Sequence, residues 1–475
     1  MTSATSATYD RVVRGLLALP GGLLMPGDLG VRDGKIAEIA AEGSLRGSTL
    51  LSVKGALVLP GVVDVHVHTS SEPAEGIERA TRAAAAGGVT TVVDMPFDAD
   101  GPLTQVTDLY RKVEAVTTCA VVDVALYGTV PASGELGQVD ALADAGVAGF
   151  KLSTFETDPN RFPRSTDLTI LLALERIRDA SSLVAFHCEN DEIIKGLSEQ
   201  LAAVRSSVDP GLHAAARPAV AENEALAGVL ELALATRAPV HLCHISTGRG
   251  VTLALRAKAD GADVTAETCT HYLLLDETEL GRQKGRAKVN PPLRSRGEVD
   301  ALWHHLASGA IDIVSSDHVG WLAAKKDRDD IFEVAAGFPT VELTLPLLFS
   351  EGVVRRGLPL QRLLDVLCEA PARRFGLWPR KGVLAVGADA DIAVLDPEAR
   401  WQIVDGDLIT TAGWSPYDSR EVVGRVTDVL VRGEPVLLAG EPTGRPGHGQ
   451  HVRPLRGGSA ASSIDEGPPM SVLAR

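Results

Sequence analysis

A chain of 475 residues with a formal net charge of −16 is a poor partner for nucleic acid or anionic lipid, because a negative surface field repels phosphate. Its 45% hydrophobic content can fill a sizeable core, yet no run approaches the roughly 20 apolar residues of a membrane helix, and residues 1–10 lack a basic then apolar leader. Small-molecule partners and a cytoplasmic location are expected, with the five cysteines, none in a CxxC pair, as reduced packed thiols.

The first predicted element is a hairpin, with the Asp33-Gly34 turn between two β-rich runs. From residue 61 onward, short β-rich runs alternate with Ala-, Leu-, Arg- and Glu-rich stretches of helical length. The runs are 61–68, 89–95, 121–128, 147–153, 183–188, 239–245, 263–268 and 312–317. Eight strands with helix-length connections predict an α/β fold, a (β/α)8 TIM barrel over 59–375, whose reactive groups come from the strand C-terminal ends. Strand character returns in Lys381-Gly382-Val383-Leu384, in 387–395 and in 429–433. Both chain ends, 8–58 and 376–440, are therefore expected to build a small β-sandwich. From 441 to 475 Gly, Pro, Ser, Arg and His dominate without periodicity, which predicts a disordered tail.

The chemistry concentrates at the ends of the predicted strands. In Val62-Val63-Asp64-Val65-His66-Val67-His68 the two imidazoles are two residues apart and share one face of a strand, so both can reach one cation at about 2.0–2.1 Å. The competing reading is a pair of hydrogen-bonded core histidines. Lys151, in Gly149-Phe150-Lys151-Leu152-Ser153, would be an expensive buried ammonium. Either it snorkels outward, or its neutral amine adds carbon dioxide to become a carbamate able to bridge two metals. Phe186-His187-Cys188 ends the fifth strand. His241 and His244, three positions apart on the sixth, face opposite sides of a regular strand, and His244, nearer the end, is the ligand candidate. Ser315-Ser316-Asp317-His318 closes the eighth with a carboxylate, and His318 is expected to sit behind it. His304, His305, His448 and His451 read as surface residues.

With Gly87-Gly88-Val89-Thr90-Thr91, Arg217-Pro218, Glu267-Thr268-Cys269-Thr270-His271-Tyr272-Leu273, Asn290-Pro291-Pro292-Leu293-Arg294 and Gly387-Ala388-Asp389-Ala390-Asp391, the pattern resembles the cyclic amidohydrolases over about residues 25–440. This is the hydantoinase, dihydropyrimidinase, allantoinase and dihydroorotase branch of the amidohydrolase superfamily. The resemblance implies two divalent metal ions, usually zinc. His66, His68 and Asp317 would hold one, His187 and His244 the other, with carboxylated Lys151 as the bridge. It also implies that Asp317 is catalytic, carrying a proton from the attacking water to the leaving ring nitrogen, and that the protein is a homodimer or homotetramer.

Departures from the family pattern narrow the substrate. Thr69-Ser70-Ser71-Glu72-Pro73 lacks the arginine of dihydroorotases, and Ser153-Thr154-Phe155-Glu156 lacks the tyrosine of hydantoinases and dihydropyrimidinases. The remaining motifs look closest to allantoinase and its hydantoinase relatives. The expected reaction is therefore opening of a five-membered cyclic ureide or imide such as allantoin or a hydantoin. Alternatives are a dihydropyrimidinase or dihydroorotase activity, a linear-amide hydrolase on the same barrel, or a non-catalytic scaffold. Asn290, Glu156 and Trp321 are the substrate-binding candidates: Asn290 where the family uses backbone groups to contact the ring amide, Glu156 as an acceptor for a ureido or amino group, Trp321 either as a flat apolar wall or as a lid residue packed on the barrel.

Overall fold

The eighth barrel strand is split, and the split closes the barrel. In the computed structural model, which describes residues 9–455 apart from 204, 205 and 207, parallel strands Val62–His68, Val89–Asp94, Asp123–Gly128, Gly149–Ser153, Val184–His187, Val240–Leu242 and Val264–Cys269 follow one another around the sheet. Ile313–Ser315 then pairs with the seventh strand, while His318–Val319 pairs with the first, at Val67 and His68. Ser316 and Asp317 lie in the break, where Asp317 takes a φ of 47°. Aspartate visits this left-handed region more readily than bulkier residues, and the turn exposes its carboxylate at the barrel mouth. The eight predicted runs coincide with these strands. The sixth is shortened to three residues, and His244 beyond it also has a positive φ, 38°.

Burial on both faces explains the near-continuous apolar character of these strands. Val184, Phe186, Val240 and Leu242 pack outward with the surrounding helices. Ala125, Tyr127, Ala185 and Cys243 join a second cluster with Phe375, Leu377 and Val452, which fills the closed end of the barrel. The open end is left for polar groups.

Both chain ends build one eight-stranded sheet outside the barrel. Its junction is the antiparallel pairing of Gly47–Pro60 with Ile392–Gln402. The sheet wraps a core of Val13, Leu17, Leu29, Val58, Ile392 and Leu430. A buried ion cluster ties this domain to the barrel. Lys381 Nζ lies 2.5 Å from Asp123 on the third barrel strand, 2.9 Å from Asp389 and 2.7 Å from Asp391, and Arg432 also pairs with Asp123. The Gly387-Ala388-Asp389-Ala390-Asp391 motif is thus structural cement.

The segment from 441 departs from the expected disordered tail. Glu441–Pro442 pairs with Glu434–Leu438. The chain then returns to the barrel, where Val124 N donates to Gln450 O and Val452 N donates to Val124 O, both at 2.9 Å. Val452 is fully buried. A polar composition can be ordered when its backbone groups find partners and one apolar side chain anchors it. His448 and His451 are only partly exposed: His448 Nε2 lies 3.1 Å from Val431 O, and burial pushes His451 down to about 4. Residues 456–475 of the expected tail lie outside the described residues. Among those described, no helix is long and apolar enough to cross a membrane.

Candidate active site

The strand ends converge on a cavity of about 140 Å³ whose walls include His66, His68, Lys151, His187, His244 and Asp317. A larger cleft of about 400 Å³ beside it contains none of these six. Donor chemistry rather than volume therefore marks the site.

Asp317 Oδ1 lies 3.1 Å from His66 Nε2 and 3.6 Å from His68 Nε2. The three ligand atoms fall within 4.8 Å of one another, close enough to share one cation. Burial alone would raise the Asp317 carboxyl, but His66 and His68 outweigh it and hold it at about 2. Across the cavity, His187 Nδ1 and His244 Nε2 face each other at 3.0 Å. A span of that size suits two nitrogens each about 2.0–2.1 Å from a common ion. Burial lowers the pKa of His66, His187 and His244, which favours the neutral imidazole a metal requires.

Lys151 does not snorkel. It is 1% exposed, pairs in register with Ala185 on the fifth strand, and its Nζ makes no hydrogen bond. Its neighbour Cys243, pushed up to about 12 by burial, is an uncharged thiol and supplies no countercharge. A buried ammonium without an anion is costly, whereas a carbamate at this place would face the imidazoles from both sides. The donor set and the orphaned amine fit a two-metal centre.

Behind the ligands stand carboxylates that sequence reasoning did not single out. Glu267 Oε1 lies 3.0 Å from His66 Nδ1 and accepts from His244 N at 3.0 Å, while its Oε2 lies 2.8 Å from His241 Nε2. One buried carboxylate therefore orients a ligand ring, fastens a ligand backbone and engages the histidine that turns away from the mouth. Burial would raise Glu267, but His66 and His241 hold it well below the usual carboxylate range. Glu189 Oε2 lies 2.9 Å from His187 Nε2 and pairs with Arg217. Against burial, Arg217 and His187 hold that carboxyl at about 2. Glu189 stands two residues after His187, which was the available signal, whereas Glu267 stands near none of the histidines it contacts.

His318 is buried and turned from the ligands: its Nδ1 accepts from Thr340 N and Val341 N at 3.1 and 3.3 Å, and its Nε2 lies 3.4 Å from Glu75. Asn290 and Trp321 both line the cavity. The Asn290 Oδ1 is buried without a partner. Trp321 is both wall and packed loop residue, for its Nε1 donates to Ala336 O at 2.8 Å and Lys325 lies 4.6 Å from its ring. The expectation for Glu156 is overturned. Its side chain pairs with Lys195 at 3.4 Å and its backbone N donates to Asp191 Oδ1, so the residue is drawn toward the helix Asp191–Ala202. Thr157, Asp158, Arg161 and Phe162 take the place in the wall that Glu156 was expected to hold.

Residues 57–436 match the amidohydrolase family model. The chain is 38% identical over 457 residues to the allantoinase of Rubrobacter xylanophilus, covering 95% of this chain and 99% of that protein. It is 35% identical over 420 residues to the D-phenylhydantoinase of Escherichia coli, covering 85% and 89%. Among solved structures, the L-hydantoinase (dihydropyrimidinase) of Arthrobacter aurescens superposes with a TM-score of 0.90 at 32% identity, covering 94% of this chain and 100% of that one.

Proposed function

The chain belongs to the amidohydrolase family, and from that premise we propose that it hydrolyses the C–N bond of a five-membered cyclic ureide or imide, allantoin or a hydantoin, at a centre of two divalent metal ions. The observation that carries this reading is the convergence of five imidazole and carboxylate donors around the unpartnered amine of Lys151. His66, His68 and Asp317 would hold one ion, and His187 and His244 the other. Lys151, converted by carbon dioxide to a carbamate, would serve both. Zinc suits this set of nitrogen and oxygen donors. When bound, the ions supply Lewis acidity that lowers the pKa of water to about 7 and polarises a ring carbonyl.

The chain's own groups do the rest. Glu267 and Glu189 keep the His66 and His187 rings in one orientation. Asp317, at the mouth, takes a proton from the attacking water and gives it to the departing ring nitrogen, a transfer worth typically about 10²–10⁴-fold. The unpaired Asn290 Oδ1 is available to a ring N–H, and Phe97, Phe162 and Trp321 limit water at the reacting ring. The absence of an arginine in Thr69-Ser70-Ser71-Glu72-Pro73 and the names of the relatives support a ureide over dihydroorotate. Assembly as a homodimer or homotetramer belongs to the same reading, and light scattering measures it. Protein loaded with zinc in bicarbonate should open allantoin or hydantoins with higher kcat/KM than dihydrouracil, dihydroorotate or open-chain N-acyl amides. A fully loaded protein that prefers any of the last three contradicts it.

A further inference from the structure

The loop after the fourth barrel strand brings two opposite charges to the cavity that the proposed chemistry leaves unused, Asp158 and Arg161. The loop is pinned. Asp158 and Phe162 exchange backbone hydrogen bonds at 3.2 and 2.9 Å, and the Phe162 ring stacks on Phe97 with centroids 3.6 Å apart. Arg161 donates from Nε to Asp98 O and from Nη2 to Phe97 O, both at 3.0 Å. Its guanidinium is thereby fixed, while Nη1 has no hydrogen bond within the described residues. Asp158 is half used in the same way. Its Oδ1 accepts from Asn160 N and Arg161 N at 2.8 and 2.9 Å, and Oδ2 is left over.

We propose that Asp158 and Arg161 form a specificity-determining clamp for an exocyclic ureido group on the ring substrate, Arg161 Nη1 donating to the ureido carbonyl and Asp158 Oδ2 accepting from a ureido N–H. This rests on the cyclic-ureide reading above and names the substituent that the site selects. A ureido group offers an acceptor and donors side by side, which a donor and an acceptor on one rigid loop complement. The Asp158 carboxyl, held below its usual range chiefly by the Arg161 N–H, is ionised. An apolar ring substituent would desolvate both charges and pair neither, and a substrate carboxylate would meet Asp158.

The test is the ratio of kcat/KM for allantoin to that for hydantoin without a ring substituent, in the metal-loaded full chain. Arg161→Met and Asp158→Asn should each lower this ratio by about 10–100-fold, as expected for loss of one hydrogen bond to a charged group. Asparagine still accepts the two backbone N–H groups at Oδ1, so Asp158→Asn keeps the loop in place. Arg161→Lys retains charge but cannot both hold the hairpin and reach the substrate, and should lower the ratio too. A ratio unchanged in Asp158→Asn and Arg161→Met, with both substrates losing equally or not at all, overturns the clamp and leaves the ureide reading standing. A wild-type enzyme that opens six-membered rings but neither ureide overturns that reading and the clamp with it.

Discussion

Glu267 Oε1 lies 3.0 Å from His66 Nδ1, which leaves His66 Nε2 turned toward Asp317 at 3.1 Å. The carboxylate sits on the seventh barrel strand and the imidazole at the end of the first, 201 positions apart in the chain. Barrel closure makes them neighbours.

Glu267→Gln should therefore loosen the centre without emptying the barrel of structure. The amide can no longer accept equally at both oxygens from His66, His241 and the His244 backbone. Loss of such a partner weakens metal affinity by about 10–100-fold. Competition with a zinc chelator reads it, and an affinity equal to wild type would show that His66 needs no support from Glu267.

The Lys381 cluster sets a pH window for stability. Asp389 is held well below the usual carboxylate range, because Lys381 and its other partners outweigh burial. The stability it adds is present above the unfolded pKa and is lost as pH falls through the folded value. Lys381 is raised above 10.5, since Asp391, Asp123 and Asp389 outweigh burial. Its contribution is complete below the unfolded pKa and is lost as pH rises through the folded value. Asp391, raised mainly by burial, depends most on the ammonium. Lys381→Met should destabilise by about 3–5 kcal/mol, as for a broken buried ion pair. Thermal unfolding between pH 3 and 8 is the check. The acid slope should flatten in Asp389→Asn, and an unchanged slope would remove Asp389 from the account.

Two truncations divide the C-terminal segment at different points. Removing residues from 456 onward should leave the melting temperature near wild type. Removing residues from 443 onward strips Val452 from the barrel floor and the hydrogen bonds of Val124, and should cost about 2–5 kcal/mol. Equal melting temperatures for the two proteins would contradict the packing described.

Much of the site was legible because period and position carry the information. His66 and His68, two apart on one strand, declare that their rings share a face, whereas His244 reaches the site because the sixth strand ends at Leu242 and the chain turns there with a positive φ, which strand alternation from His241 does not express. Lys151 was legible because an ammonium amid Phe150 and Leu152 demands an explanation. Glu267 was not, since a carboxylate in a strand motif does not announce histidines contributed by strands far away in sequence. Glu156 misled for a different reason. In an irregular loop the direction of a side chain follows local partners, here Lys195 and Asp191, and a shift of two residues exchanges Glu156 for Asp158 at the cavity. The segment 443–455 was misread because its order comes from backbone groups of Val436, Ala120, Val124 and Gly376, which composition cannot express.

The most direct measurement is metal content together with allantoin and hydantoin turnover in Lys151→Ala, in bicarbonate and with added short carboxylic acids. Wild type should bind two ions per chain and open the ureide ring. Lys151→Ala should lose most of both metal and turnover, recover part of each when a short carboxylate takes the place of the carbamate, and behave like Lys151→Arg when none is added. A Lys151→Ala protein that keeps two ions and wild-type turnover would contradict the bridging role of Lys151 and the metal centre built on it.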